Sequence, residues 1–395
     1  MKDFKPENFS CPRPATDSET VQLAHGGGSR LAAELIEQVL VPGFNDPVLS
    51  RLEDQATLDC SLAAGERLAF TTDSFVVDPL FFPGGSIGEL AVNGTINDLA
   101  MGGATPLYLS LALIIEEGFP LSELQRVLQA VAGAARSAGV RVVTGDTKVV
   151  GRGACDKIFI NTSGIGRVPA GLALSAAYLR PGDKIIVSGT IGDHGMAIMS
   201  CREGLSFVEP LASDTAALHE LSAVILAAAG GAGESGRAEV PGGPGGASEG
   251  ALGAGAAPAA PAPGESPPEP GPVRAMRDPT RGGVAAVLSE MAKASRVGVS
   301  IEEDKLPVAG PVRGACEILG MDPLFVANEG KLLAVVAPET AEAVLAAMRD
   351  HPLGRQAVII GEVQRENPGL VTLCTALGGR RLIDLPAGEQ LPRIC

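Results

Sequence analysis

The chain has 395 residues, of which 45% are hydrophobic and 19% charged, and this balance is typical of a globular protein. Its length allows two domains, each with its own core. The net charge of −15 argues against a nucleic-acid partner, because polyanions repel an acidic surface. No apolar run reaches the roughly 18 to 20 residues that span a bilayer, so we expect no membrane insertion.

The seven cysteines are scattered and include no CxxC pair. This pattern favours reduced thiols over disulfides or a zinc site. The first residues contain no apolar stretch of the signal-peptide kind. We therefore expect a cytoplasmic protein.

The first half of the chain alternates between helical and strand patterns. Residues 1–20 are polar and proline-bearing, and we expect a flexible extension there. The small-residue segment 86–101 predicts a tightly packed helix with Ser86 as its N-cap. Helices are also predicted at 29–40 and 121–137, and strands at 67–79, 107–115, 140–146 and 157–168.

The pattern restarts near residue 170, so we predict one domain at 21–170 and a second at 171–384. Within the second, segment 230–272 is mostly Gly, Ala and Pro, with Val240 and Leu252 as its only large aliphatic residues. Such a segment cannot offset its ordering entropy, and we predict a disordered surface loop. Residues 385–395 are predicted to form a flexible tail. The remaining predictions are strands at 184–189, 299, 332–336 and 357–360, and helices after 195 and at 215–229, 311–319 and 339–348.

Three aspartates are the main chemical signal. Asp73, Asp98 and Asp146 are predicted at loop positions, mostly just after strands, beside Gly, Thr or Asn. Carboxylates in such places suit Mg²⁺ shared with nucleotide phosphates. The alternative is that they cap helices and turns. The pattern alone does not decide between a magnesium–phosphate site and this capping role.

A glycine-rich run at residues 25–29 opens the first predicted helix and contains Gly26, Gly27 and Gly28. Free N–H groups at a helix start can cradle a phosphate. The run lacks the lysine of a Walker A loop, and a flexible hinge is an equal alternative.

Two later loop-to-helix junctions resemble this run, at 192–195 and 278–283. Arg281 has the geometry to bind a phosphate bidentately, or is a solvated surface residue. His194 is a candidate acid or base, or a plain loop histidine. Lys148 and Glu329 are charged residues in glycine-rich settings that the pattern alone does not assign.

Cys395 is the last residue of the chain. A thiol at the end of a flexible tail can carry a covalently bound group between active sites, and the thiolate is the competent nucleophile. An accidental terminal cysteine is the alternative.

The chain contains QLAHGGGSRL, LAFTTDSFVVDPLFFPGGSIGELAVNGTINDLAMGG, VVTGDTKVV, VSGTIGDHG, RDPTRGGV, FVANEGKL and a terminal PRIC. Together, from Val21 to Cys395 and apart from the Gly/Ala/Pro insertion, these closely resemble the hydrogenase expression/formation protein E family. Members of that family are the carbamoyl dehydratases of nickel–iron hydrogenase maturation, in the superfamily of aminoimidazole-ribonucleotide synthetase and selenophosphate synthetase.

The resemblance implies an α+β fold with an N-terminal mixed-sheet domain that pairs across a homodimer and a C-terminal α/β sandwich. It also implies ATP and Mg²⁺ as cofactors, a carbamoyltransferase and an iron–cyanide scaffold complex as partners, and conversion of a carbamoyl group on Cys395 into a thiocyanate. Carried over by motif, the implied Mg-ATP ligands are Asp73, Asp98 and Asp146; the further nucleotide contacts are Gly26, Gly27, Gly28, Asn97 and Arg281; the dehydration residues are Lys148, Glu329 and Cys395.

Two alternatives are weighed against this interpretation. Selenophosphate synthetase carries its reactive residue in the N-terminal glycine-rich run, which here contains no cysteine. A non-catalytic ATP-binding scaffold would not need the full set of Asp, Lys, Glu and terminal Cys residues.

Overall fold

The computed structural model describes residues 19–26, 30–52, 55–56, 58, 60–208, 211–230, 270–384, 391 and 393–395. Most of the predicted N-terminal extension, Gly27 and Gly28, and nearly all of the predicted disordered insertion lie outside these residues. Among the helices of the described ranges, none combines the length and apolar character needed to cross a bilayer.

The N-terminal half is built on a four-stranded mixed sheet in the order β1-β6-β4-β5. Strands β4 and β5 are parallel, and the other pairs are antiparallel. The strands are β1 (Arg67–Phe75), β2 (Phe81–Phe82), β3 (Gly85–Ser86), β4 (Thr105–Glu116), β5 (Arg141–Val150) and β6 (Ile158–Val168); β2 and β3 form a separate hairpin. The helices are α1 (Arg30–Leu35), continued by a π-helix (Ile36–Leu40), α2 (Ile87–Met101) and α3 (Leu121–Ser137).

Helix α2 begins where the sequence predicts, because the Ser86 hydroxyl accepts a hydrogen bond from the Gly88 N–H at 3.1 Å. The helix is buried almost throughout. A Cβ at Gly88 would lie 2.6 Å from the Val127 carbonyl oxygen of α3. Glycine at this position therefore allows the two helices to pack closely on one face of the sheet.

The opposite face of the same sheet is open. Along β1, side chains alternate between half-buried and exposed, and Phe70 is 71% exposed. Leu68 and Ile114 are also exposed. An apolar sheet face of this kind normally marks a contact surface.

The C-terminal half contains a seven-stranded sheet in the order β13-β12-β9-β11-β7-β10-β8, in which only β9 and β12 are parallel. Its strands are β7 (Lys184–Val187), β8 (Val273–Arg277), β9 (Gly298–Glu302), β10 (Leu333–Val336), β11 (Val358–Gln364), β12 (Val371–Cys374) and β13 (Arg380–Ile383). Its helices are α4 (Asp193–Glu203), α5 (His219–Ala228), α6 (Gly283–Ser295), α7 (Gly310–Leu319) and α8 (Ala341–Asp350). Short 3₁₀ segments lie at Leu23–Gly26, Val41–Gly43, Leu49–Arg51, Glu303–Lys305, Pro323–Phe325, Pro338–Thr340 and Pro352–Gly354.

Helices cover both faces of this second sheet. Residues of α5 and α8 pack on one face in a core that includes Ile186 and Ala334. Residues of α6 pack on the other face with Ile185 and Leu333. The end of α2 joins the first of these cores through Leu99, so the two halves share apolar contacts.

Candidate functional site

Asp73 and Asp98 lie close together between the N-terminal sheet and α2. Asp73 is within β1, and Asp98 is on α2, where it accepts a 2.8 Å hydrogen bond from the Thr71 hydroxyl. Burial raises the pKa of both carboxyl groups; the charge of Asp98 raises that of Asp73 further, while Arg281 acts in the opposite direction. Two carboxylates are thus held near each other where a cation would stabilise their charged forms.

The C-terminal half adds two more acids to this pair. Burial, together with the charges of Asp98 and Asp73, raises the pKa of Asp278 to about 7. Glu329 is 3% exposed, and its pKa is raised well above the usual range by burial and then by Asp278 and other acids nearby. Its Oε1 atom has no hydrogen-bond partner in the part of the chain that the structure describes. We call Asp73, Asp98, Asp278 and Glu329 the acidic group.

The backbone around Glu329 is fixed by Asp214. The Glu329 N–H donates to Asp214 Oδ1 at 3.1 Å, and Lys331 Nζ lies 3.1 Å from Asp214 Oδ2. A Cβ at Gly330 would lie 1.7 Å from the Asp214 carbonyl oxygen, so only glycine fits between these segments. The sequence analysis did not identify Asp214, because it is distant from Glu329 along the chain and belongs to no motif.

Arg281 lies in the turn between β8 and α6, and its charge acts on Asp73, Asp98 and Glu329. Gly283 has φ +61°, and a Cβ there would approach the Leu324 and Val326 carbonyl oxygens within 2.6 Å. The turn therefore packs directly against the segment that leads to Glu329.

Asn97, predicted to contact the nucleotide, is buried between the two halves. Its Nδ2 donates to the Ala216 carbonyl at 3.0 Å and to the Glu329 carbonyl at 3.4 Å, while its Oδ1 accepts from the Leu218 N–H at 2.8 Å. The amide thus joins α2 to the segment that carries the catalytic candidate Glu329. Its predicted role in nucleotide binding stays a prediction.

Asp146 and Lys148 lie elsewhere in the chain. They form an exposed ion pair, 3.1 Å between Lys148 Nζ and Asp146 Oδ1, on β5 at the opposite edge of the sheet from β1. Neighbouring strands lie about 4.8 Å apart, so three such steps separate β1 from β5 by roughly 14 Å. Within one chain, the structure brings Asp73, Asp98, Glu329 and Arg281 together and leaves Asp146 and Lys148 outside the acidic group.

The expectation that aspartates lie in loops just after strands was wrong for Asp73 and Asp146, which are inside β1 and β5 because both strands extend past the residues that suggested their ends. Asp98 is on α2, within the helix predicted at 86–101. Within the described ranges, no three His, Cys, Asp or Glu side chains are already arranged around a metal position.

A cavity of about 330 Å³ lies beside Asp146. It is lined mainly by apolar side chains of the π-helix, β4, α3 and β5, including Ile36, Leu113 and Leu128. The 3₁₀ segment that ends at Gly26 packs against β5 near this cavity. The start of the glycine-rich run and Asp146 therefore lie on the same side of the N-terminal half.

The chain end is held beside β1. The N–H of Val76, which directly follows β1, donates to a terminal oxygen of Cys395 at 3.0 Å. Leu391 and Ile394 are buried in a core that the N-terminal half shares with residues of α4 and α7, and Cys395 packs against it. The tail's predicted flexibility stays a prediction, but its last residues occupy a defined place next to the strand that carries Asp73.

Comparisons with known proteins agree with these features. The AIR synthase related protein family models match at residues 52–168 for the N-terminal domain and 265–372 for the C-terminal domain. The carbamoyl dehydratase HypE of Cupriavidus necator is 48% identical over 378 residues, covering 96% of this chain and 95% of the relative.

Two solved structures are similar along most of the chain. The hydrogenase maturation protein HypE in complex with ATP has a TM-score of 0.81 and 42% identity, covering 95% of this chain and all of that one. A HypE–HypF complex has a TM-score of 0.69 and 44% identity, covering 89% of this chain and 99% of that one.

Proposed function

The chain belongs to the HypE carbamoyl dehydratases of the AIR synthase related family, and from this membership we propose how its own residues carry out the reaction. It is an ATP-dependent enzyme that dehydrates a carbamoyl group on Cys395 to a thiocyanate, which supplies cyanide for the iron of nickel–iron hydrogenase. The family, the fold class and the activity expected from the sequence are confirmed. The observation that carries the proposal below is the position of the chain end, since Cys395 is hydrogen-bonded to Val76, three residues after Asp73.

The carboxamide oxygen is a poor leaving group, so it must first be activated. In the proposed sequence this oxygen attacks the γ-phosphorus, the bond to ADP breaks, and nitrogen loses one proton. The carbon–oxygen bond then breaks, phosphate leaves, and nitrogen loses its second proton. The products are S–C≡N on Cys395, ADP, phosphate and the released protons, and the sulfur–carbon bond is kept throughout.

We assign Glu329 as a proton acceptor from the nitrogen. Its Oε1 is buried and has no hydrogen-bond partner among the described residues, so it is suited to a ligand. Its raised pKa makes it a stronger base than an ordinary glutamate once it is ionised. Lys148 is assigned to charge stabilisation on the transferred phosphoryl group. Arg281, whose charge reaches the acidic group, is assigned to the same phosphates.

The acidic group also fits magnesium. Mg²⁺ is usually held by one or two carboxylates together with substrate phosphates, so a preformed group of three side chains is not required. Asp73 and Asp98 fit this pattern, since they adjoin and burial raises the pKa of each. Magnesium, when bound, would neutralise charge on the phosphates and the carboxylates.

A homodimer accounts for Asp146 and Lys148 on the far edge of the sheet. The open apolar face around Phe70 is suited to pairing with the same face of a second copy. We propose that ATP lies between the N-terminal domains, with Gly26, Gly27 and Gly28 closing over it. Asp146 and Lys148 then serve a nucleotide that also contacts the acidic group of one of the two copies.

The proposed partners follow from the reaction. The carbamoyl group must be delivered to Cys395, and a HypE–HypF complex is among the similar structures, so a carbamoyltransferase is the expected donor. The cyanide must be passed on, and we propose an iron–cyanide scaffold complex as acceptor. We place the protein in the cytoplasm, where its scattered cysteines stay reduced.

The test is the intact mass of the C-terminal peptide. After incubation with the carbamoyltransferase and carbamoyl phosphate, the peptide should gain the mass of a carbamoyl group, and after addition of ATP it should lose the mass of one water. The Cys395→Ala variant should show neither change while it retains Mg-ATP binding. A wild-type peptide that is carbamoylated but never loses water would contradict the proposal.

A further inference from the structure

The last three residues are held through their main-chain oxygens. Arg202 donates through its guanidinium to the Arg393 carbonyl, His194 Nε2 donates to the Ile394 carbonyl at 2.8 Å, and the Val76 N–H donates to a terminal oxygen of Cys395 at 3.0 Å. We call Val76, His194 and Arg202 the tail seat. Consecutive residues of the tail are thus each bound by one donor of the tail seat.

His194 is the most restricted of these donors. It lies at the start of α4, and none of its surface is exposed. Its Nδ1 lies 2.8 Å from the Ser213 hydroxyl. A carbonyl oxygen only accepts hydrogen bonds, so the proton must be on Nε2, and Nδ1 accepts from Ser213. Burial lowers the pKa of His194, which agrees with this neutral form.

The side chain of Arg393 adds a second layer of contacts. Its Nε donates to the Val76 carbonyl at 3.0 Å, and its guanidinium pairs with Asp156. Arg202 in turn donates to the Asp78 carbonyl at 2.6 Å. The tail is therefore tied on both sides to the segment that follows β1 and its Asp73.

We infer that His194 is a positioning residue for the dehydration step. It holds the Ile394 carbonyl, while the N–H of the next residue, Gly195, donates to the Ala327 carbonyl at 3.0 Å, so the tail is kept near the segment that leads to Glu329. This inference rests on the proposed function. Dehydration needs the chain end at the acidic group, whereas loading requires only that another protein reaches the thiol. Loss of the Nε2 donor leaves a buried carbonyl without a partner, which weakens the seated tail. His194 therefore acts on dehydration and not on loading.

The first experiment measures how firmly the tail seat holds the tail, and it needs no catalytic turnover. The rate at which N-ethylmaleimide alkylates Cys395, followed by peptide mass, reports how often the tail leaves the seat. His194→Phe should raise this rate roughly two- to tenfold, the scale of one lost hydrogen bond. His194→Gln places an amide N–H near the Nε2 position and should restore a rate close to wild type. His351→Gln is the matched control, because the contacts of His351 are to Leu353 and Glu220 and do not involve the described tail residues 391 and 393–395.

The second experiment separates dehydration from loading. In the His194→Phe variant, water loss from the carbamoylated peptide should slow by a similar factor, while carbamoyl transfer to Cys395 is not slowed. Arg202→Met removes a second donor of the tail seat at a half-buried position. It serves as the test if His194→Phe fails to fold, and it should likewise slow water loss without slowing carbamoyl transfer.

The inference is overturned if alkylation in His194→Phe is no faster than in His351→Gln, or if loading slows as much as dehydration. It is equally overturned if only Arg202→Met folds and leaves alkylation unchanged. Failure of the wild-type chain to lose water would contradict the proposed function, whereas the alkylation rates would still decide whether His194 holds the tail.

Discussion

The N–H of Val76 lies 3.0 Å from a terminal oxygen of Cys395, so the end of the chain is bound to the residue that follows β1. The contact joins the first residue after the strand that carries Asp73 to the residue whose thiol is modified. The acceptor is the backbone oxygen of Cys395. The bond therefore fixes the backbone of Cys395 next to the end of β1.

A chain extended by one glycine after Cys395 tests the role of this contact. The extension turns the carboxylate into a neutral amide, which weakens the bond from Val76, and adds atoms beyond Cys395, so we expect dehydration to fall by roughly tenfold. The mass of the C-terminal peptide after addition of ATP measures the rate of dehydration. Mg-ATP binding should be unchanged, and an extended chain that dehydrates at the wild-type rate would contradict the expectation.

Asp98→Asn tests the proposed magnesium site. The change keeps the shape of the side chain and its contact with Thr71 but removes one charge. We expect Mg-ATP affinity to fall roughly tenfold to a hundredfold, measured by calorimetry, with the fold intact. Asp304→Asn, at an exposed acid of a 3₁₀ segment, is the control. Equal affinities in the two variants would exclude Asp98 from the site.

Glu329→Gln tests both catalysis and pH dependence. Dehydration should fall on the order of a hundredfold or more, because the amide cannot accept a proton. Because the pKa of Glu329 is raised in the folded protein, the protonated side chain favours the folded state. This contribution to stability is fully present below the usual glutamate pKa and is lost as pH rises through the pKa of the folded protein. Without magnesium, the variant should therefore be at least as stable as wild type at pH 8.

Thermal unfolding from pH 4 to pH 8 in the absence of magnesium measures this difference. The difference in unfolding temperature between variant and wild type should shrink toward pH 4, where the side chain at position 329 is neutral in both proteins. A Glu329→Gln variant that loses stability most strongly at high pH would show that the carboxylate is stabilised in the folded protein.

The insertion between α5 and β8 is the subject of the last prediction. Residues 231–269 lack core-forming side chains apart from two aliphatic residues, so replacing them with a short glycine–serine linker should change the free energy of unfolding by only about 1 kcal/mol. Dimerisation and ATP turnover should stay close to wild type, as measured by light scattering and ADP release. Loss of either property would show that the segment contributes to the structure.

The sequence was most informative where local chemistry decides structure. Ser86 and the small residues after it predicted α2 correctly, because N-capping and close packing act within a few residues. Strands β12 and β13 were missed, since both are short and β13 begins with two arginines. The second-half helix predicted from residue 215 begins at His219, because Thr215 and its neighbours contact α2 instead.

The candidate site was predictable only in part for a similar reason. Motifs identified Asp73, Asp98 and Glu329, which the fold brings together from three elements. They did not indicate that Asp146 lies on the far edge of the sheet, because strand order depends on pairing between distant segments. Asp214 and the role of His194 at the tail were also hidden, since both act through contacts made only in the folded chain.

Asn97 bears on which parts of the enzyme are able to move. Its one amide is bonded to the backbone of Ala216, Leu218 and Glu329, so opening a cleft between the two halves at this point would break three hydrogen bonds together. Asp98, the next residue, is thereby kept at a fixed distance from Glu329. These bonds resist separation of the two halves, so we expect the last few residues of the chain, and not the two halves, to move when one reaction partner replaces another.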